Sequence, residues 1–302
     1  MKPSPFAYHR PGTVDEALAV LAEVGGDGKV LAGGQSLLPI LSMRLAAPAH
    51  LVDVNRLAEL AYVRAGPGGV RVGALARHAA VERDEGAARV QPLLRQALRL
   101  VAHPTIRNRG TTVGSLAHAD PSGEMTAVLA VLGGHVTLAS AAGRRRVGAA
   151  DFFLGPLESA VGPGELAVEA FFPAAAAGAG TAFLEVARRH GDYAVCGVAA
   201  VVEPADAAGD GSAGAVRARL GYVSTGPTPS VRELPGAAPV GPGADAASWA
   251  DAAAQATAGL DPEGDIHATA AYRRHLARVL TARALAAAWS ASAAGPGRRD
   301  AA

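Results

Sequence analysis

The 302-residue sequence predicts an α+β protein of two or three domains. Three observations carry that expectation. Apolar runs of strand length alternate with runs of helical period along the whole chain. The stretch "AYVRAGPGGVRVGAL" (61–75) alternates about a Gly-Pro-Gly-Gly turn, which predicts a hairpin and so antiparallel sheet rather than a doubly wound parallel one. Finally, "PAAAAGAG" (173–180) has the composition of a linker and marks a domain boundary.

The elements follow in order. Thr13-Val14-Asp15-Glu16 reads as a capping box opening a helix, with Val14, Ala17, Leu18 and Leu21 on one face and Gly25, Gly26 and Gly28 stopping it. "KVLAG" is a short strand, "LLPILSMRLA" a helix with Pro39 in its first turn, and "HLVDVN" a second strand. After the hairpin, "VQPLLRQALRLVA" is an amphipathic helix with Pro92 near its start. The segment "HPTIRNRGTTVGSLAHADPSGE" (103–124) reads as a loop, followed by a helix around "MTAVLAVLG" and strands at "HVTLAS" and "ELAVEAFF".

Beyond the linker, "TAFLEVARR", "YAVCGVAAVVE" and "AVRARLGYVST" read as strands, with a Gly/Ala/Asp-rich loop near 204–214 and a second loop at "GAAPVGPGADA". Helices are expected near 246–258 and 267–289, the last with Tyr272, Leu276, Val279, Leu280 and Ala287 on one face. Residues 290–302 read as a disordered tail.

Several function classes are disfavoured. The net charge of +1 gives no basic field for nucleic acid, and no apolar window approaches membrane-spanning length. The N-terminal residues lack a signal-peptide pattern, so a cytoplasmic location is expected. Cys196 is the single cysteine, which rules out an internal disulfide and a thiolate-held iron–sulfur cluster on this chain. The nine histidines show no HExxH or HxH spacing, and His118-x-Asp120 alone makes a poor metal site.

Two glycine-bearing stretches carry the chemistry. Gly33-Gly34-Gln35-Ser36 stands where a strand meets a helix and offers four backbone N–H groups, a hydroxyl and an amide to an anion. It is neither a Walker A loop nor a GxGxxG fingerprint, and by itself it is also compatible with a plain strand-to-helix turn. Thr111-Thr112-Val113-Gly114-Ser115 is again small and hydroxyl-rich, with Asp120 and Glu124 at a spacing that suits a ribose hydroxyl. Together they would grip a diphosphate from two sides without a metal.

"AGGQSLLP", then "IRNRGTTVGSLAHADPSGE", "FLEVARRHGDYAVCGVAAVV" and "DIHATAAYRRHLARVLTARAL" in that order resemble the FAD-binding medium subunit of the molybdenum hydroxylases, of carbon monoxide dehydrogenase and xanthine dehydrogenase type. The resemblance implies a two-subdomain FAD-binding (PCMH-type) domain over 1–175, with subdomains of about 1–56 and 57–175, and a C-terminal α/β flavoprotein domain over 176–289. It implies that Ala32, Gly33, Gly34, Gln35 and Ser36 and also Thr111, Thr112, Gly114 and Ser115 bind the FAD diphosphate. Glu124 would hold the adenosine ribose, and Tyr193 would stack near the isoalloxazine. No residue here is expected to be catalytic toward the substrate. Molybdopterin would sit on a large partner subunit and iron–sulfur clusters on a small one, in a dimer of heterotrimers, with this chain passing electrons from the clusters through FAD to an external acceptor.

Two departures stand out. Val113 replaces a glycine of many relatives and resists positive φ, so the backbone there must use negative φ or shift. Leu184 stands where some relatives carry a lysine near the flavin, and losing that cation should make the flavin harder to reduce. A self-sufficient flavin oxidoreductase of the same fold and a flavin-free scaffold remain as competing readings. Cys196, Trp249 and Trp289 read as core residues, Arg144–Arg146 as a solvated turn or a subunit contact, and His118 as a loop residue making local hydrogen bonds. Arg107 and Arg109 could pair with a phosphate or face solvent. Arg188, Arg189 and Asp192 could form ion pairs that order the Tyr193 segment.

Overall fold

The computed structural model describes residues 2–204, 216–237 and 244–292. The first lobe contains β1 (Ala7–His9), α1 (Val14–Val24), β2 (Gly28–Leu31), α2 (Leu37–Ser42) and β3 (His50–Asp53). Its three strands form a parallel sheet in the order β1-β3-β2. The capping box closes as expected at Thr13, whose hydroxyl accepts from Glu16 N at 3.2 Å, while the Glu16 carboxylate reaches Gly12 N at 2.7 Å. Strand β1 is too short and too exposed to leave a periodic signal in the sequence.

The second lobe runs through β4 (Val63–Gly66), β5 (Gly69–Gly73), α3 (His78–Arg83), α4 (Glu85–Val90), α5 (Pro92–Leu98), α6 (Pro104–Arg107), α7 (Thr112–His118) and α8 (Glu124–Leu132). It continues with β6 (His135–Ser140), β7 (Gly143–Gly148), α9 (Ala149–Phe152), β8 (Phe153–Gly155), β9 (Glu158–Ser159) and β10 (Leu166–Pro173). The main sheet has the order β4-β5-β10-β6-β7 and is antiparallel throughout. One face packs Val70, Val72, Val136, Leu138, Ala170 and Phe172 into a core shared with α5, α7 and α8. Residues 103–124, expected to be a loop, contain α6 and α7. Arg144–Arg146, expected to be a turn, lie on the edge strand β7, paired to β6 with Arg146 opposite Thr137.

The C-terminal part is a four-stranded antiparallel sheet of β11 (Gly180–Ala187), β12 (Ala194–Pro204), β13 (Val216–Val223) and β14 (Ser230–Ala237), followed by α10 (Ala250–Thr257) and α11 (Ala270–Ala291). Successive residues of a strand point to opposite faces. Phe183, Ala199, Val201 and Val223 therefore join the core of the first two lobes, while Ala182, Leu184, Val198 and Leu220 pack against α10 and α11. Helix α8 lies close on β13: a Cβ on Gly221 would sit 2.9 Å from the Ala127 carbonyl.

Helix α11 buries Leu276 and Leu280 as expected, but its inner face continues through Thr281, Ala284, Leu285, Ala288 and Trp289. Tyr272 and Ala287 are exposed instead, because the alanine-rich run gives hydropathy little contrast with which to place the face. The helix extends through Ala291 and Ser292 is buried, so the first residues assigned to the tail are ordered. Residues 293–302 lie outside the described residues, as do 205–215, where the first loop is expected, and 238–243 of the second expected loop. Trp249 and Trp289 meet edge to face at 6.4 Å, and Cys196 is fully buried with its thiol pushed up to about 12 by loss of hydration, which fits the core readings.

Candidate functional site

The two glycine stretches meet. A Cβ on Gly33 would stand 2.6 Å from the Arg109 carbonyl, 2.7 Å from Gly110 Cα and 3.1 Å from Thr111 N, so the backbones touch where only glycine fits. Gly34 has φ +70°, a left-handed turn that lets the chain leave β2 and enter α2. Among the described residues, the N–H groups of Gly33, Gly34, Gln35 and Ser36 find no protein acceptor. Gln35 turns back on its own loop, with Nε2 donating to the Gly33 carbonyl at 2.9 Å.

The contact is held by two residues, Asn55 and Arg77, that sequence reasoning does not single out. Asn55 Nδ2 donates to the Ala32 carbonyl at 2.9 Å, and Arg77 donates to Asn55 Oδ1 at 2.7 Å and to the Arg109 carbonyl at 2.6 Å. Asn55 is itself fixed by Asp53, whose Oδ1 accepts from its backbone N at 2.9 Å and from Nδ2 at 2.6 Å. Burial opposes ionisation of Asp53, but hydrogen bonds from Tyr8 and Asn55 hold its carboxyl below the usual range. His78 packs under Gly110, donates its backbone N to the Gly110 carbonyl at 2.9 Å and stands 3.3 Å from the Thr112 hydroxyl; burial lowers its ring pKa to about 4.

The second stretch differs from its expected form. Residues 112–118 are helix, capped by Thr111, whose hydroxyl accepts from Gly114 N at 3.1 Å. A Cβ on Gly114 would lie 2.5 Å from that hydroxyl, so this glycine serves the cap. Thr111 and Thr112 are buried, Thr112 N donates to the Ala76 carbonyl at 3.3 Å, and Ser115 N donates to the Thr111 carbonyl at 3.0 Å. Val113 adopts helical geometry with its side chain in the core, which resolves the concern over positive φ. The part of this segment that touches the first loop is therefore Arg109–Thr111.

A second cluster lies between α8, β11 and the segment before β12. Glu124 opens α8 and is 8% exposed; burial, and to a smaller degree Asp120, raises its carboxyl to about 7. Burial and the neighbouring Glu124 raise Glu185 to about 8, and its Oε2 has no hydrogen-bond partner among the described residues. Tyr193 is 65% exposed. Loss of hydration at its hydroxyl, then the charges of Asp120 and Glu124, push its phenol up, while the polar Ser36 side chain opposes them.

Tyr193 thus lies within electrostatic reach of both the first glycine loop and the carboxyl cluster. Leu184 packs into the C-terminal core, so the side chain of β11 that faces Glu124 is Glu185, one residue on. Arg107 is held by Glu82 at 2.9 Å and by the carbonyls of Val101 and Ala102, leaving it no free fork for a phosphate. Arg189 pairs with Asp192 at 3.2 Å, one of the ion pairs expected beside Tyr193.

This arrangement offers N–H donors without a described acceptor in a sharply bent backbone, an exposed tyrosine and a buried carboxyl oxygen without a described partner. Residues 4–175 match the family model of the FAD binding domain in molybdopterin dehydrogenase, and 181–288 match that of the CO dehydrogenase flavoprotein C-terminal domain. The 6-hydroxypseudooxynicotine dehydrogenase complex subunit alpha of Paenarthrobacter nicotinovorans is 39% identical, over 95% of each chain. The carbon monoxide dehydrogenase medium chain of Hydrogenophaga pseudoflava is 36% identical, over 96% of this chain and 99% of that one. Among solved structures, a carbon monoxide dehydrogenase from H. pseudoflava superposes with a TM-score of 0.88 at 36% identity, covering 97% of this chain and 100% of that one. Quinoline 2-oxidoreductase from Pseudomonas putida 86 superposes with a TM-score of 0.85 at 36% identity, covering 95% and 98%. With both halves of the sequence matched in order and the fold shared end to end, the chain belongs to the FAD-binding medium subunits of the molybdenum hydroxylases, an oxidoreductase family.

Proposed function

We propose that this chain is the electron-relaying subunit of a molybdenum hydroxylase, taking electrons from iron–sulfur clusters of a partner and passing them through FAD to an external acceptor. The observation that carries the reading is the backbone contact of Gly33 with Arg109–Thr111, beside four N–H groups that no described acceptor satisfies. Amide N–H groups on a glycine bend suit a diphosphate, since their partial charges are fixed before the anion arrives. Gly33–Ser36 would hold the diphosphate, with Ala32 and Arg109–Thr111 as its walls. Thr112, Gly114 and Ser115 would support that wall through the cap of α7. Tyr193 would cover the ring system, and Glu124 and Glu185 would accept hydrogen bonds from polar groups at the same end.

When bound, FAD supplies the ability to accept electrons singly and release them in pairs. The chain's own task is to seat and orient it. The iron–sulfur clusters must belong to another chain, because the one cysteine lies fully buried inside a sheet. A large molybdopterin-binding subunit and a small iron–sulfur subunit are the proposed partners, in a dimer of heterotrimers in the cytoplasm. Among the described residues, no helix is long and apolar enough to cross a membrane.

The test is the full chain purified alone and mixed with excess FAD. Retention of yellow oxidised flavin after gel filtration, with hydroxylase activity only when both partner subunits are co-expressed, is the expected result. A colourless chain, or hydroxylase turnover by the chain alone, overturns the reading.

A further inference from the structure

The outer face of the five-stranded sheet, turned away from the core packed under α5, α7 and α8, carries a groove of about 580 Å³. Five arginines line it, Arg64 on β4, Arg71 on β5 and Arg144–Arg146 on β7, against two carboxylates, Glu59 and Glu169. With Glu165, which holds Arg145, counted beside Glu59 and Glu169, the groove has two more positive than negative groups, in a chain whose total net charge is +1.

The arginines divide into two kinds. Arg71 is fixed by Glu169 at 2.7 Å and lies 5.3 Å from the centre of the Phe171 ring. Arg145 forks onto both oxygens of Glu165, at 2.7 and 2.6 Å, and onto the Ala160 carbonyl. These two are framework. Arg64 stacks 4.4 Å over the Tyr62 ring, which is anchored through its hydroxyl to Glu169 at 2.8 Å. Neither Arg64, Arg144 nor Arg146 has a carboxylate partner among the described residues. Three unpaired guanidinium forks thus stand around one concavity, on rigid strands, with Arg64 pre-stacked on an anchored ring.

Arg64 stands opposite Arg71 at one edge of the sheet and Arg144 and Arg146 lie on the other edge strand; concentrating like charge on one sheet face costs free energy unless an anion offsets it. Guanidinium forks match phosphate oxygens two at a time, and the groove's volume lies in the range of small-molecule sites. A single carboxylate would leave half of the excess charge unmatched and could engage only one of the three forks. A chain of two or three phosphates carries about three to four negative charges at neutral pH, given a second pKa near 6 for phosphate groups, and presents oxygens to several forks at once.

We propose that this groove is a second anion site, separate from the glycine loops, that takes a small polyphosphate: a nucleoside di- or triphosphate or its inorganic counterpart. The inference stands independently of the flavin reading.

The test uses the full chain with FAD in excess in every sample, so that nucleotide binding at the glycine loops is competed out. Tripolyphosphate, ATP and adenosine are titrated separately by calorimetry, on the wild-type chain and on Arg144→Ala/Arg146→Ala. Both replaced side chains are exposed on an edge strand, and circular dichroism with thermal melting checks that the variant folds; Arg64→Ala serves as a second variant should the first melt early. Saturable binding of tripolyphosphate and ATP but not adenosine, weakened at least tenfold in the variant and screened by 0.5 M salt, supports the proposal. ATP binding more tightly than tripolyphosphate identifies a nucleotide as the occupant; equal binding identifies the phosphates alone. Absence of saturable binding, binding unchanged in both variants, or release of FAD in step with ATP uptake overturns it.

Discussion

The two glycine stretches share a composition and differ in what their atoms do. At Gly33–Ser36 the backbone bends through a left-handed residue and leaves successive N–H groups without a described partner. At Thr111–Ser115 the hydroxyl of Thr111 caps α7, and the glycine exists because a Cβ would strike that cap. One stretch is a donor surface and the other is the wall it leans on. A glycine in a small, hydroxyl-rich stretch therefore has two distinct meanings, and only the hydrogen-bond partners separate them.

The sharpest way to break the comparison is Gly33→Val. Its Cβ would overlap main-chain atoms at 2.6–2.7 Å, which no side-chain rotation relieves, so the wall must move away from the donors. We expect FAD retention to fall by at least a hundredfold, read from flavin absorbance after gel filtration, with the far-UV circular dichroism unchanged. Near-normal flavin content in Gly33→Val would mean that the contact is irrelevant to binding. Arg77→Ala comes next. It removes the link between Asn55 on one side and the Arg109 carbonyl on the other, while leaving both backbones sterically free. A loss of about tenfold in FAD affinity is expected, equal to about 1.4 kcal/mol, and Arg77→Lys should restore only part of it because one ammonium cannot span both acceptors.

Thr111→Val sharpens the comparison from the other side. Losing an N-cap hydroxyl costs about 0.5–2 kcal/mol of stability, so the melting temperature should drop by a few degrees in a chain of this size. FAD affinity should change less than threefold, since the donors belong to the other loop. Gly114→Ala, which crowds the same hydroxyl, should match it. A larger effect on flavin binding than on stability in either variant would reverse the division of roles.

Much of this was legible in the sequence, and the misses have physical reasons. The capping box at Thr13, the hairpin about Gly66–Gly69 and the core strands β10 to β13 follow from side-chain chemistry acting within a few residues. So did the meeting of the two glycine stretches, because four motifs in order carry more information than one. Asn55 and Arg77 were missed because each acts through backbone carbonyls far along the chain, at Ala32 and Arg109, and backbone acceptors leave no mark in a sequence. Helix α7 reads as loop in the sequence because Thr, Gly and Ser have low helix propensity; the buried Val113 and Leu116 override it. The edge strand β7 was hidden by three consecutive arginines, since an edge with a solvated face needs no apolar alternation.

The smallest expected effect tests the carboxyl cluster within electrostatic reach of Tyr193. Glu124 and Glu185 have carboxyls raised to about 7 and about 8, above the usual 4.5, so the folded chain binds more protons than the unfolded one between those values. The sign follows: stability from this pair is fully present below about pH 4.5, falls as pH rises through 7 and 8, and is flat above. A Glu185→Gln chain stays neutral at that position, so the melting-temperature difference between variant and wild type should grow in the variant's favour from pH 6 to pH 8.5. It should reach about 2–5 °C for a chain of this length. Bound FAD should shrink that difference if a donor of the flavin reaches Glu185 Oε2, because the carboxylate would then be stabilised in the wild type alone. A difference that is independent of pH would show that the two carboxyls are already ionised in the folded chain, and that their crowding has no bearing on how the site receives its ligand.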